Sequence, residues 1–103
     1  MVYFTVMYPY KENMRFDMDY YLHHHLQLVK EKVGEALKEV HVDRGVSGGA
    51  PDSTPAYAVI ARLRFDSPDD LAKYMAPHSP VFQADIPNFT DVVPVIQISE
   101  AVV

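Results

Sequence analysis

The stretch "FDMDYYLHHHLQLVKEKVG" (Phe16–Gly34) decides how the chain folds. Leu22, Leu26, Val29 and Val33 recur at i, i+4, i+7 and i+11, which puts them on one helical face. Asn13 or Asp17 is placed to cap the start, so a helix is expected from about Phe16 to Val33. Lys30 and Lys32 lie in its last turn, and Gly34 suits the left-handed position that ends a helix. Three consecutive histidines interrupt this pattern. At about 100° per residue they point in three directions. His25 follows Leu22 by three and precedes Val29 by four, so it belongs to the buried stripe. His24 has Tyr20 and Leu28 at i±4 and sits on the shoulder, whereas His23 has Asp19 and Gln27 there and lies on the polar side. Side chains at i and i+4 converge but those at i and i+1 do not. The run is therefore not expected to hold a metal.

The rest of the order follows outward from this helix. Val2–Tyr8 is β-branched and aromatic and reads as a strand ended by Pro9, with "PYKENMR" as the loop into the helix. Ala36–Arg44 alternates and reads as a second strand. Gly45–Pro55 holds three of the four glycines and reads as a flexible connection to a third strand, Ala56–Phe65. "SPDDLAKYM" starts another helix, with Ser67 as cap, Pro68 at the first helical position and Asp69 and Asp70 at the positive dipole end. Pro77 stops it. Ser79–Pro80 repeats the start signal for a short helix ending before Pro87. Val92–Val102 reads as the last strand, where Pro94 marks an edge position or a bulge.

The order β-α-β-β-α-β over residues 1–103 predicts one α+β domain with a ferredoxin-like antiparallel sheet. Right-handed crossovers place both helices on one face. The other face is left open, although strands one and three carry apolar residues on both sides: Val2, Phe4 and Val6 against Tyr3 and Met7, and Tyr57, Val59 and Leu63 against Ala58 and Ile60. An apolar open face needs a cover, so a homodimer is expected.

Composition narrows the function. A net charge of −5 without a Lys/Arg cluster argues against nucleic-acid and anionic-membrane partners. The absence of cysteine excludes disulfides and thiol nucleophiles and fits a reducing compartment, here expected to be the cytoplasm. No apolar run approaches the ~20 residues of a membrane span, and "MVYFTVMYPY" reads as a strand rather than a signal peptide. There is no GxGxxG, Walker sequence or Ser-centred elbow, so no cofactor is expected.

Four sets of polar residues are candidates. His25 is either a core histidine bonded to a backbone carbonyl or the lining of a small-molecule cleft, where histidine serves as acid or base near neutral pH. Asp85, Asn88 and Asp91 supply a cleft or perform turn and capping chemistry. His78, in "APHSP", reads as a surface loop residue more readily than as a haem or metal ligand. In the strands, Arg62 and Arg64 share a face and are expected to be ion-paired or exposed, and His41 faces either a dimer interior or solvent.

Three segments carry a family resemblance. "FDMDYYLHHHLQLV" resembles the first-helix motif of EthD-like proteins, roughly F-D-x-Y-Y-x-x-x-H-x-P-L. "FDSPDDLAKYM" is similar to the family's entry into the second helix, and "ADIPNFTD" (Ala84–Asp91) to a third characteristic segment. The resemblance implies the dimeric α/β-barrel superfamily, with His25 as the matching histidine and Tyr20 and Tyr21 as the aromatic pair. Gln27 departs from the family pattern, which usually has proline there, and the departure bears on the local helix bend. The family's namesake is linked to oxidative degradation of an alkyl ether alongside a cytochrome system. Similar fungal proteins act as dehydratases or decarboxylases, and wider relatives include cofactor-free monooxygenases, lactone isomerases and haem-binding proteins. Fold-level analogy of this kind is associational. The resulting candidate set is His25 as acid/base, with Tyr20, Tyr21, His24, Asp85, Asn88 and Phe89 around a small hydrophobic, oxygen-bearing ligand. The protein would then be a cofactor-free oxidoreductase or lyase, or an accessory to one. The alternative is a non-catalytic binding or carrier module.

Overall fold

A computed structural model describes residues Met1–Val103. Strand β1 (Val2–Pro9) lies inside the sheet and pairs antiparallel with both β3 (Tyr57–Phe65) and β4 (Val95–Glu100). β2 (Glu39–Arg44) adds to the far side of β3, giving the order β2-β3-β1-β4. This is the ferredoxin-like α+β arrangement that the element order predicts.

Strand alternation sorts the side chains into two layers. Val2 and Tyr8 of β1 are buried beneath the helices, as are Val59, Ala61, Leu63 and Phe65 of β3. The helical side contributes Tyr21, Leu26, Val29, Val33, Leu71, Met75 and Phe82. Full burial of a Val, Leu or Phe side chain stabilises by about 1.5–3 kcal/mol, so this single layer supplies most of what holds the sheet to its helices.

The first crossover comprises α1 (Met18–Tyr20), a π-helical segment (Tyr21–His25) and α2 (Leu26–Val33). Asp17 caps it, its carboxylate accepting from the Tyr20 amide at 3.1 Å. Asn13 does not cap; it sits upstream in a turn with φ 62°. Gly34 has φ 71° and leads into a 3-10 turn (Gly34–Ala36), so β2 starts at Glu39 rather than Ala36. The second crossover comprises α3 (Pro68–Tyr74) and α4 (Ser79–Asp85). Ser67 caps α3 as read, its hydroxyl accepting from the Asp70 amide at 3.1 Å.

Ser79 corrects the reading at α4. It is the first helical residue and not the cap, because the 3-10 turn Ala76–His78 runs directly into the helix. Likewise Pro87 lies within a closing 3-10 turn (Ile86–Asn88) instead of after the helix. The last strand is shorter than Val92–Val102, with Pro94 just before it, and it is an edge strand as the proline suggests.

The uncovered face is more polar than β1 and β3 alone imply. Tyr3, Met7 and Ile60 share it with Thr5, Arg62, Arg64 and the partners that register brings alongside: Glu39, His41, Asp43, Gln97 and Ser99, with Val95 as the one apolar partner. Arg62 lies over the Tyr3 ring at 4.5 Å, Arg64 Nε is 3.3 Å from Glu39, and His41 contacts the same carboxylate. No helix is long and apolar enough to cross a membrane.

Candidate functional site

Two distant segments are tied together before any site exists. Phe16 and Thr90 form an isolated antiparallel bridge. The Asp17 amide donates to the Phe89 carbonyl at 2.8 Å, and Thr90 Oγ1 donates to the Arg15 carbonyl at 2.7 Å. Asp91 belongs to this tie, accepting from the Arg15 amide at 3.1 Å with Lys11 3.7 Å away. The bond from the Arg15 amide, helped by the Lys11 charge, holds this carboxyl below the usual carboxylate range against the opposing effect of desolvation. Asp91 thus performs turn and tie chemistry, whereas Asp85 does something else.

Asp85 closes α4, where the carbonyl end of a helix is unfavourable for a negative charge. Three donors compensate. Tyr20 Oη donates to Oδ1 at 2.7 Å, Asn88 Nδ2 to the same oxygen at 2.9 Å, and His25 Nδ1 lies 2.8 Å from Oδ2. Desolvation works against ionisation here, but the bonds from Asn88, Tyr20 and His25 prevail and hold Asp85 below the usual carboxylate range. The Tyr20 phenol moves the other way, raised chiefly by its bond to that carboxylate. An ionised Asp85 fixes the proton of His25 on Nδ1 and leaves Nε2 as the imidazole's lone-pair nitrogen. His25 makes no backbone hydrogen bond through its ring, so the core-histidine reading in its simple form does not apply.

The π segment is what aims this histidine. The Leu26 amide donates to the Tyr21 carbonyl, five residues back instead of four. Such widened turns are uncommon and recur at functional sites. Gln27 Nε2 lies 3.4 Å from the Leu22 carbonyl and supplements the ladder where its period widens. Tyr21 and His25 stack at 5.6 Å with 19° between their planes, and both are buried. His23 and His24 are exposed, His24 stacking on Tyr20 at 4.9 Å.

His25, Tyr21 and Tyr8 line a cavity of about 60 Å³ between the sheet and the two crossovers. The other walls are mostly apolar: Phe4 and Val6 from β1, Leu63 from β3, Val29 from α2, and Met75, Phe82 and Ile86 from the second crossover. Gln83, Ile86, Pro94 and Ile96 are shared with an adjoining hollow of about 530 Å³, so the cavity opens between the end of α4 and the start of β4.

The structure therefore brings His25, Tyr21, Tyr20, Asp85 and Asn88 together, with Tyr20 and Asn88 behind the carboxylate and not among the cavity walls. His24 is on the outer surface. Phe89 has no exposure and packs on Tyr8, Tyr21 and His25 as their rigid backing. His78 is a part-exposed loop residue beside Phe82. Tyr8 is a site residue that the sequence reading missed. The signal was present, since Tyr8 continues the Val2, Phe4, Val6 alternation onto the helix-facing side.

Comparison with known proteins bears on the family and the fold. The EthD domain matches residues 14–92. An EthD-like protein from Ralstonia eutropha is 38% identical, with 99% of this chain and 92% of that chain covered and a TM-score of 0.92. An ethyl tert-butyl ether d (EthD) family protein from Bacillus halodurans has a TM-score of 0.73 at 19% identity, covering 98% of each chain. An Arabidopsis thaliana protein has a TM-score of 0.70 at 16% identity, covering 100% of this chain and 97% of its own. At such identities the last two show the shared fold alone. No curated protein matches. The domain match and the 38% identical relative, each spanning most of the chain, show that this protein belongs to the EthD family.

Proposed function

We propose that this EthD-domain protein binds a small, hydrophobic, oxygen-bearing organic molecule between helices and sheet, and that His25 moves a proton on it. The observation that carries this is the His25–Asp85 pair at 2.8 Å, in which a buried imidazole is oriented by a carboxylate while its ring lines a cavity. The same device orients the base in hydrolytic triads: a carboxylate on Nδ1 sets the tautomer and stabilises the imidazolium once a proton is taken up at Nε2. Proton removal next to a carbonyl, or its return during loss of water or carbon dioxide, needs one such group and an apolar enclosure. That favours lyase-type chemistry within the cofactor-free range the resemblance implies.

The test is hydrogen exchange from the α-position of a small aromatic ketone, acetophenone, into heavy water, followed by proton NMR. The wild type should exceed buffer, and His25→Gln should lose about 10²–10⁴ of the enhancement, the usual contribution of a positioned acid or base. Exchange no faster than buffer in the wild type sinks the catalytic reading. It would leave the carrier reading, which the mostly apolar walls support.

The homodimer belongs to the same proposal. Met7, Ile60 and Val95 pair side by side and give the open face an apolar patch, bordered by the Arg62, Arg64, Glu39 and His41 cluster towards β2. This pattern suits a protein interface with a polar rim. A species of 11.7 kDa in light scattering at micromolar concentration would overturn it.

A further inference from the structure

Two phenols remain unused by the His25–Asp85 pair, and both are in the cavity wall. Tyr8 and Tyr21 are each 1% exposed and both line the space that His25 lines. Their rings meet edge to face at 5.9 Å, and Tyr21 stacks on the His25 ring. The aromatic floor of Phe16 and Phe89 packs on both tyrosines and prevents them from swinging away. A buried phenol normally finds a partner. The two hydroxyls act on one another's ionisation, raising Tyr8 and lowering Tyr21. The Tyr21 phenol lines the cavity with the His25 ring stacked beside it, which places its hydroxyl hydrogen for an acceptor there. Burial is the main effect on both, raising them far above the ordinary phenol value, so both stay neutral donors at any physiological pH.

The walls contain no Lys or Arg. A molecule that arrives as a carboxylate or phosphate would have to bury its charge there without a cation, at a cost of several kcal/mol, and beside the negative Asp85. A molecule that arrives neutral and becomes an anion only inside meets no such barrier. Its proton goes to His25, and the pair of charges forms within the site.

We propose that Tyr21, beside Tyr8 in the same wall, is the donor that receives negative charge on a substrate oxygen when His25 takes a proton, and that substrates are small, neutral, largely apolar carbonyl compounds or phenols. This rests on His25 acting as base. In the step, the substrate C–H or O–H bond breaks, its proton is bonded to His25 Nε2, and its electron pair remains on the substrate as an enolate or phenolate. The oxygen of that anion accepts from Tyr21 Oη–H, with the Tyr8 phenol alongside as a second neutral donor in the wall. Nothing is oxidised or reduced, and the proton returns from Nε2 to the product.

The probe is 4-nitrophenol, a single ring whose anion is coloured and whose neutral form is not. Wild-type protein is titrated into it one pH unit below the phenol's own titration point, with absorbance reporting ionisation and calorimetry reporting binding. The wild type should bind it as the anion. Tyr21→Phe should weaken anion binding about 10- to 100-fold, the range for a lost bond to a charged group, with an unchanged melting temperature. Tyr8→Phe should weaken it less, about threefold, and serves if the first variant does not fold. His25→Gln should bind the phenol colourless. Full colour with undiminished affinity in Tyr21→Phe, or in Tyr8→Phe alone if only that variant folds, overturns the donor inference and leaves His25 as base. Colourless binding by the wild type overturns both. No binding at millimolar concentration overturns the substrate class, while the ketone exchange assay still decides the role of His25.

Discussion

The π segment Tyr21–His25 and helix α3 occupy equivalent places, each at the front of a crossover on the same face of the sheet. α3 is regular, with Ser67 as a bonded cap, Pro68 at the first turn and two aspartates at the positive end. Its buried residue Leu71 packs and does nothing more. The π segment has the wider ladder, the polar residues and a buried histidine, and its cap lies in the short turn before it. Local rules build the first; the second is held open by contacts from elsewhere, chiefly the Phe16–Thr90 tie and the Asp85 carboxylate. The difference teaches that the proposed chemistry falls where local preference has been overridden, and plain packing where it has been obeyed.

The strongest way to break this comparison is to empty each segment in turn. Leu71→Ala in α3 should cost about 2–5 kcal/mol of stability and leave exchange activity per folded molecule intact, as judged by denaturant unfolding beside the ketone assay. His25→Gln should do the reverse. Equal losses of stability in both would mean that the histidine is a core residue like any other. Asp85 gives the next largest effect. Asp85→Asn should cost about 1–3 kcal/mol at neutral pH through unpaired donors. It should also change the acid limb of the stability curve. Asp85 is easier to ionise folded than unfolded, so its stabilisation is complete above the ordinary value of 3.8 and is lost as pH falls through the lower folded value. Melting curves of the wild type should therefore drop as pH falls below about 4, and the drop should be shallower in Asp85→Asn; parallel curves would contradict the bonding around this carboxylate. The smallest effect belongs to Ser67→Ala. Losing this cap should cost ~1 kcal/mol and about 4–8 °C in Tm, with no change in phenolate binding.

The element order and the strand faces were legible because they rest on local chemistry: β-branched runs, Pro68, Ser67 and the i, i+4, i+7, i+11 stripe. His25 was legible as the inward histidine for the same reason. Its partner was not. Asp85, Asn88 and Asp91 share one motif and look alike in sequence, yet only Asp85 reaches His25 while Asp91 binds the Arg15 amide. That division depends on where α4 ends in three dimensions, which no spacing encodes. The π segment was equally hidden, because a one-residue widening leaves the apolar period nearly unchanged. Beyond Thr5, Arg62 and Arg64, the polar character of the open face came from β2 and β4, whose register against β3 and β1 decides which of their residues face outward.

The position of β1 has a consequence during synthesis. It lies between β3 and β4, yet it precedes both in the chain. Ribosomes add roughly 5–20 residues per second, so Val2–Pro9 waits several seconds after its own synthesis before β3 emerges, and longer for β4. Through that interval a strand of Tyr, Phe, Val and Met has neither ladder partner available. The step that completes the sheet is thus a late, long-range closure, of the kind that slows folding most, and the nascent chain is most in need of a chaperone between the first helix and the third strand.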